Sequence, residues 1–389
     1  ASAISVSNKV QVAIMAPTEI LANQHFRSFK KYTDSAQISC ALLVGGMPAK
    51  ERNKILSGLK NHKIDIVIGT HALIQKDIEF NSLGLVVVDE QHRFGVNQRN
   101  LLIQKGINPH LLSMTATPIP RTLAITYHGD MDLSVIDEIP KNRIPVVTKM
   151  VDEKRLNKVY SFIIDEVKAG KQCMIVHPLI EESEKSDLLA AIDMYDTLST
   201  TVFKELNVGL LHGRQDKLQK EKIMHDFSKN KINILLSTTV IEVGIDVPNA
   251  TVMLIENAER FGLTQLHQLR GRVGRGSKKS YCILVQRKIT EQSKKRLEIM
   301  ESTNDGFKIS DEDLKMRGPG EFFGIKQSGF FNFKIADLLL DGDMVKDART
   351  AAEKILNNNL DALRHSHQNI YNELLRLYKD RLGQLLPKG

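Results

Sequence analysis

Two adjacent carboxylates, Asp89 and Glu90, follow the apolar run Leu85-Val-Val-Val, which predicts a buried strand. Ligands of open α/β sheets bind at the carboxyl ends of the strands, so this pair would lie where phosphates bind. Asp89 could hold Mg²⁺, largely through water because Mg²⁺ keeps most of its hydration shell. Glu90 could orient and deprotonate an attacking water. An acidic pair that only caps a strand is the plainer interpretation of these residues alone.

A second group combines arginine with glycine in residues 268–276, Gln-Leu-Arg-Gly-Arg-Val-Gly-Arg-Gly. Glycine lets the backbone approach a ligand closely, and arginine offers a fork of donors to phosphate oxygens. An arginine supplied across a cleft can accelerate phosphoryl transfer by ~10³–10⁵. We therefore take Arg275 as the candidate arginine finger, with Arg272 beside it.

Hydroxyl-bearing turns follow two further strand candidates. Leu112-Ser-Met-Thr-Ala-Thr-Pro118 ends in a proline-stopped turn, and residues 237–248 carry hydroxyls followed by a Gly-x-Asp turn. Each turn alone has an ordinary structural interpretation. Together with the acidic pair and the arginines, they indicate a phosphate-handling cleft.

Composition excludes several classes of protein. The 389 residues are 42% hydrophobic and 26% charged, which suits more than one globular core. Three distant cysteines give no disulfide framework, and no apolar run approaches the ~20 residues needed to cross a bilayer. We expect a protein of the cytoplasm that does not enter a membrane.

Positive charge is concentrated in one segment. The chain nets +8, yet residues 270–296 alone hold ten Lys or Arg against one acid. Such a segment suggests a polyanion partner or bound phosphate. A solvated lysine-rich face is the alternative.

Short Val- and Ile-rich runs alternate with amphipathic stretches, which is typical of parallel sheets covered by helices. The runs predict ten strands, at residues 10–15, 38–44, 64–68, 83–88, 111–114, 173–176, 208–211, 232–236, 251–255 and 281–285. The proline-bracketed stretch at residues 140–145 interrupts the pattern, and the strand signal stops near residue 289. We predict an α/β protein with a first domain at 1–143, a second at 144–289 and a C-terminal helical region at 290–389.

Seven segments in this order resemble the motifs of superfamily 2 helicases. They match motifs Ia, Ib, II, III, IV, V and VI at residues 16–22, 69–71, 89–92, 115–117, 211–214, 238–246 and 268–275. Residues 115–123 and 129–136 are similar to the RecG and Mfd families. Residues 137–140, 304–307 and 317–321 favour the RecG family. The resemblance implies two tandem RecA-like domains plus a C-terminal helical hairpin and loop, with ATP and Mg²⁺ as cofactors.

The resemblance also assigns roles to residues. Asp89, Glu90, Arg272 and Arg275 would be catalytic, and the metal would be held by Asp89 and Glu90. Asp89 would also belong to the nucleotide-binding set with Gly244, Asp246 and Gln268. His92, Thr115 and Thr117 would couple hydrolysis to movement. DNA contacts would come from Pro17, Thr18, Thr70, Thr238, Arg296, Arg317 and Gln327.

One departure concerns motif I. No Gly-x-x-x-x-Gly-Lys-Ser/Thr segment, whose amides and lysine hold the β and γ phosphates, occurs in the chain. Gly170-Lys171-Gln172 lacks the hydroxyl and the first glycine. We therefore expect the first domain to be truncated at its N-terminus, the family's wedge domain to be missing, and the chain alone to hydrolyse little or no ATP.

The resemblance implies the motor of an ATP-dependent double-stranded DNA translocase that remodels stalled forks and Holliday junctions. We expect a monomer, with single-stranded-DNA-binding protein as a further partner suggested by the resemblance. An Mfd-like translocase acting on RNA polymerase remains an alternative. So does a non-catalytic DNA-binding module with a degenerate nucleotide cleft, and an RNA helicase is a weaker third.

Overall fold

Two parallel β-sheets organise the chain. The computed structural model describes residues 1–116, 131–138, 140, 143–178, 184–238, 247–288, 290–317, 341–356 and 367–378. Within these residues one sheet has five strands and the other six, and every strand pairing is parallel. The predicted α/β class with two parallel-sheet domains is confirmed.

The first sheet has the order β2-β3-β1-β4-β5. Its strands are β1 Gln11–Met15, β2 Cys40–Leu43, β3 Ile66–Gly69, β4 Leu83–Val88 and β5 His110–Ser113. The helices of this half are α1 Ser2–Ser7, α2 Glu19–Thr33, α3 Ala49–Lys60 and α4 Val96–Ile103.

The second sheet has the order β6-β11-β10-β7-β9-β8. Its strands are β6 Val147–Asp152, β7 Gln172–Val176, β8 Val208–Leu211, β9 Ile234–Ser237, β10 Ala250–Ile255 and β11 Tyr281–Gln286. The helices of this half are α5 Leu156–Lys168, α6 Glu184–Thr197, α7 Lys217–Ser228 and α8 Leu263–Arg270.

Among the described residues that follow, there are four more helices: α9 Glu291–Ser302, α10 Gly306–Arg317, α11 Gly342–Leu356 and α12 Gln368–Tyr378. The chain divides into two compact units, one of Ala1–Pro118 with Ile139–Ile309 and one of Ile119–Glu138 with Ser310–Gly389. Both sheets belong to the first unit. Among the described helices, none combines the length and apolar character that a membrane span requires.

The central strands are buried on both faces, which explains their continuous apolar sequences. In the first sheet Met15 and Val86 pack into one cluster, whereas Ile14 and Val87 pack into another. In the second sheet all six residues of β10 are buried. Helices must therefore cover both faces of each sheet.

The two sheets repeat the same construction. Strand β1 lies between β3 and β4, and β7 lies between β9 and β10. Each of these central strands starts with a buried glutamine, Gln11 or Gln172, whose Nε2 donates to two backbone carbonyls at 2.7–2.9 Å. Sheet order and this shared contact indicate that the two domains share one plan.

One of the described strands was not predicted from the sequence. Strand β6, Val147–Asp152, forms the edge of the second sheet beside β11. Its sequence, Val-Thr-Lys-Met-Val-Asp, interrupts the apolar residues with Thr, Lys and Asp, and Thr148 is its only buried residue. The strand therefore lacks the continuous apolar run from which the other strands were predicted.

Candidate active site

The acidic pair follows β4 directly. The Asp89 amide donates to the Met15 carbonyl at 2.9 Å, which extends the parallel ladder by one residue. The Glu90 amide donates to Asp89 Oδ1 at 2.9 Å. Glu90 itself has φ +50° and ψ +51°, a left-handed conformation that non-glycine residues adopt rarely. The backbone therefore turns sharply where the two carboxylates leave the sheet.

The second sheet contains the same turn without the Asp-Glu pair. Strand β10 is followed by Glu256 and by Asn257, which has φ +46°. Asparagine tolerates the left-handed conformation better than glutamate does. A glutamate kept in a strained conformation where the other sheet uses asparagine points to a chemical role for Glu90.

The two sheets also share the residues that follow this turn. Each left-handed residue is followed by a short 3₁₀ turn and by Arg-Phe-Gly, at residues 93–95 and 260–262. In each turn the glycine amide donates to the side-chain oxygen of a glutamine three residues later, Gln98 or Gln265. Glu256, the counterpart of Asp89, is fully buried, and its Oε2 lies 3.3 Å from Arg287 Nη2. Burial raises the pKa of Glu256 despite this arginine.

Two of the predicted coupling residues lie beside Glu90. The Ala116 amide donates to Glu90 Oε2 at 3.3 Å, and His92 Nδ1 lies 3.7 Å from the same oxygen. Thr115 Oγ1 is 3.4 Å from His92 Nδ1. The ends of β4 and β5 are thus joined through the Glu90 carboxylate and the His92 ring.

His25 is a contact that the sequence did not indicate. Its Nε2 lies 2.7 Å from Asp89 Oδ2, and the ring projects from α2. That helix begins after Thr18, whose Oγ1 accepts the Leu21 amide at 3.3 Å. The helix that follows motif Ia is therefore in direct contact with the predicted metal ligand.

The second domain contributes the arginines from the end of α8 and the loop that follows. Arg270 is 3% exposed and donates to the carbonyls of Met300 and Thr303 at 2.9 and 2.8 Å, so it braces the fold. Arg272 is 9% exposed. Arg275 is exposed, and its Nε donates to the Gly271 carbonyl at 3.3 Å. The two predicted catalytic arginines thus leave the loop on either side of Gly274.

One cavity of about 570 Å³ brings the two sets of residues together. Its walls include Glu90 and Ala116 from the first domain, and Gln268, Arg272 and Arg275 from the second. Ligand pockets typically enclose ~300–1,000 Å³. A carboxylate and two guanidinium groups around one space of this size can grip a polyphosphate from both sides.

Two further residues of the cavity wall were not predicted. Arg143, from the stretch between the sheets, donates from Nε to the Gly274 carbonyl at 3.2 Å. His267 Nδ1 accepts from Arg270 Nη2 at 3.1 Å. Burial, with the charges of Arg270 and Arg143, lowers the pKa of His267 to about 4, so its ring is neutral at pH 7. The spacing of His267 and Arg270, one turn apart on α8, was the available sequence signal for that pair.

The predicted DNA-contacting threonines lie in the interior. Thr70 follows β3 and Thr238 follows β9, and they are 1% and 0% exposed. Among the described residues, neither Oγ1 has a hydrogen-bond partner. DNA cannot reach either hydroxyl in this arrangement. Contact would require the residues that follow β3 and β9 to become exposed. Their role as DNA ligands stays a prediction.

The remaining predicted DNA ligands have mixed positions. Pro17 and Thr18 lie at the half-buried start of α2. Arg296, on α9, donates to the carbonyls of Phe261 and Glu259 at 3.0 and 3.1 Å, which ties α9 to the second Arg-Phe-Gly turn. Arg317 ends α10. The predicted residues Thr117, Gly244, Asp246 and Gln327 lie outside the described residues.

The acidic pair suits Mg²⁺ brought by a nucleotide. Among the described residues, no cluster of three or more His, Cys, Asp or Glu side chains is arranged to hold a metal ion. Mg²⁺ sites at phosphates commonly use one or two carboxylates, with waters and phosphate oxygens as the other ligands. Asp89 and Glu90 at a strand end fit that donor set.

Family profiles match three parts of the chain. Residues 2–126 match the DEAD/DEAH box helicase profile, and residues 154–277 match the helicase conserved C-terminal domain. Residues 303–383 match the profile described as ATP-dependent DNA helicase RecG, domain 3, C-terminal. The first of these profiles includes all five strands of the first sheet, and the second includes four of the six strands of the second sheet.

Curated relatives extend the match over most of the chain. The chain is 52% identical over 345 residues to the ATP-dependent DNA helicase RecG of Thermotoga maritima, which covers 89% of the chain and 44% of that protein. It is 51% identical over 346 residues to RecG of Bacillus subtilis, covering 89% of the chain and 51% of that protein. The chain thus spans about half the length of these relatives.

Solved structures of helicases also resemble the chain. A RecG bound to a three-way DNA junction is 49% identical, with a TM-score of 0.69 over 87% of the chain and 44% of that protein. Mss116p bound to single-stranded RNA and AMP-PNP is 19% identical, with a TM-score of 0.59 over 81% of the chain and 69% of that protein. The second likeness concerns the fold alone.

Proposed function

Because the chain belongs to the RecG family of superfamily 2 helicases, we propose that it is the motor part of an ATP-dependent double-stranded DNA translocase. The motor would remodel branched DNA, including stalled replication forks and Holliday junctions. The observation that carries this proposal is the single cavity lined by Glu90 on one side and by Arg272 and Arg275 on the other.

Residues that line this cavity, together with the adjacent Asp89, have separate roles in hydrolysis. Glu90 orients the attacking water and takes its proton, since a positioned carboxylate is a competent general base. Asp89 would hold Mg²⁺, which would supply positive charge to neutralise the phosphates. Arg272 and Arg275 stabilise the negative charge on the transferring phosphoryl group from the second domain. Gln268 lies on the same wall as the arginines and contacts the nucleotide.

Hydrolysis in a cleft between two domains can drive movement. Nucleotide contacts on both walls favour a closed arrangement, and loss of the γ-phosphate removes the contact that holds it. His92 and Thr115 pass this change to the end of β5. His25 links the acidic pair to α2, whose first turn follows the predicted DNA-contacting residues Pro17 and Thr18.

The substrate proposal draws on a relative whose structure contains a three-way DNA junction. The C-terminal profile match at residues 303–383 supports the same family over the Mfd alternative. Cytoplasmic location and a monomeric state remain predictions, as does an interaction with single-stranded-DNA-binding protein.

The test is ATPase activity of a protein that carries this chain together with a phosphate-binding loop. We expect a three-way junction to raise kcat more than linear duplex of the same length and base composition. The 389-residue chain alone, which contains no Gly-x-x-x-x-Gly-Lys-Ser/Thr segment, serves as the low-activity control. Equal stimulation by linear and branched duplexes would contradict the substrate proposal. Stimulation by RNA alone, or dependence on RNA polymerase, would favour the alternatives.

A further inference from the structure

The stretch that joins the two sheets is attached to the arginine loop, residues 271–276. Arg143 Nε donates to the Gly274 carbonyl at 3.2 Å, across 131 positions of sequence. Gly274 lies between Arg272 and Arg275. A contact at its carbonyl therefore acts on the backbone that carries both arginines.

Val146 also lies close to Gly274. Gly274 has φ +73°, and a Cβ placed there would lie only 2.6 Å from Val146 Cγ2. The Val147 amide then donates to the Ser280 carbonyl at 2.9 Å, where β6 joins the sheet. The joining stretch thus packs against the loop at Arg143 and at Val146, and enters the sheet one residue later.

The contact between Arg143 and Gly274 lies where the two domains are connected. Residues 143–146 precede the first strand of the second sheet, so they are where the first domain is connected to the second. Arg143 also lines the cavity with Glu90, Arg272 and Arg275. A displacement of the connection is therefore transmitted to Gly274 through a hydrogen bond and a van der Waals contact.

We propose that Arg143 is a positioning residue: its guanidinium holds the Gly274 carbonyl, so that the connection between the domains sets where Arg272 and Arg275 stand in the cleft. The proposal rests on the proposed function for its effect on ATP hydrolysis. Its structural part, the fixing of the loop, does not depend on hydrolysis.

The first test measures the loop directly in the 389-residue chain. Amide hydrogen exchange of peptides covering residues 271–277 is compared among the wild type, Arg143→Lys and Arg143→Ala. Lysine keeps the positive charge and lacks the Nε donor of the guanidinium. Because one hydrogen bond is lost, both variants should exchange in this loop about five- to tenfold faster, with peptides from the core strands unchanged.

Arg155→Lys is the matched control. Arg155 is an exposed residue of the 3₁₀ turn Glu153–Arg155, on the same domain and away from the cavity wall. Its substitution should leave exchange in the loop at the wild-type rate. Unchanged exchange in Arg143→Lys and Arg143→Ala would overturn the proposal.

A second variant loosens the same point without altering a charge. Gly274→Ala forces a Cβ against Val146 and should also speed loop exchange. Both substitutions act on the same contact region, so their effects should not multiply. The loop of the double variant Arg143→Lys with Gly274→Ala should exchange at most about twofold faster than the loop of the more affected single variant. Fully multiplicative effects would mean that Arg143 and Gly274 act separately, which contradicts the proposal.

The last test uses a protein that carries this chain and a phosphate-binding loop. Arg143→Lys should lower kcat for ATP about tenfold while the affinity for a fluorescent non-hydrolysable ATP analogue changes less than about threefold, because the effect passes through the arginine loop. Near-normal kcat in Arg143→Lys with loss in Arg143→Ala would instead assign Arg143 a direct contact with phosphate, and would overturn the positioning role. If the wild type does not hydrolyse ATP, the proposed function fails, while the exchange experiment still decides the loop contact.

Discussion

Glu90→Gln should lower kcat for ATP hydrolysis by ~10²–10⁴, the usual contribution of a positioned general base. The substitution keeps the size of the side chain and the acceptor for the Ala116 amide, and removes the group that takes the proton from water. Affinity for ATP should be nearly unchanged. The measurements are steady-state ATPase and titration with a fluorescent ATP analogue, in a protein that carries this chain and a phosphate-binding loop.

Glu79→Gln is the matched control for this prediction. Glu79 belongs to the same domain and forms an exposed ion pair with Lys60 at 2.7 Å. Exposed pairs contribute little, so this variant should retain wild-type kcat. If Glu90→Gln also turns over ATP at a near-normal rate, the water is activated by another group.

Arg275→Ala should lower kcat by ~10³–10⁵, the range found for arginine fingers in phosphoryl transfer. Arg275 is exposed and lines the same cavity as Glu90, as an arginine finger acting from the second domain must. Arg275→Lys should also lose most activity, because lysine cannot reproduce the planar fork of donors. Single-turnover hydrolysis measures the chemical step directly.

Arg155→Ala provides the control for loss of an exposed arginine from the same domain. It should leave the single-turnover rate unchanged. A loss smaller than tenfold in Arg275→Ala, together with a larger loss in Arg272→Ala, would move the finger to Arg272. Little loss in either variant would mean that the second domain does not contribute to catalysis.

The sheets were predictable because their strands are buried on both faces. Such strands have continuous Val- and Ile-rich sequences, and ten of the eleven described strands were located from that signal. Strand β6 was missed because its sequence, Val-Thr-Lys-Met-Val-Asp, contains no continuous apolar run. The repeated Arg-Phe-Gly at residues 93–95 and 260–262 was visible in the sequence and marks the shared plan of the two domains.

The part of the candidate site that could be predicted consists of residues that lie together in short sequence motifs. The acidic pair and the arginines at 272 and 275 line or adjoin one cavity, as their motifs indicate. His25 and Arg143 were missed because their contacts join residues 64 and 131 positions apart, which no local pattern records.

The distribution of charge along the sequence predicted the charged surface only in part. The basic segment 270–296 suggested a polyanion surface, yet Arg270 and Arg272 are buried. Arg287 pairs with Glu153 and Glu256, and Arg296 donates to backbone carbonyls. Much of the positive charge therefore braces the second domain or faces the cavity. The exposed basic residues of the segment are its five lysines together with Arg275 and Arg287.

The most direct measurement of the shared cleft is the distance between its walls in solution. Nitroxide labels at Ala116→Cys and Ser277→Cys, both on the cavity wall, would be introduced into the 389-residue chain with Cys40 replaced by serine. Cys173 and Cys282 are buried and should not react. Pulsed electron paramagnetic resonance should give one narrow distribution at short distance. A broad distribution centred far beyond the width of the cavity would show that Glu90 and the two arginines do not share one cleft, and would contradict the proposed motor.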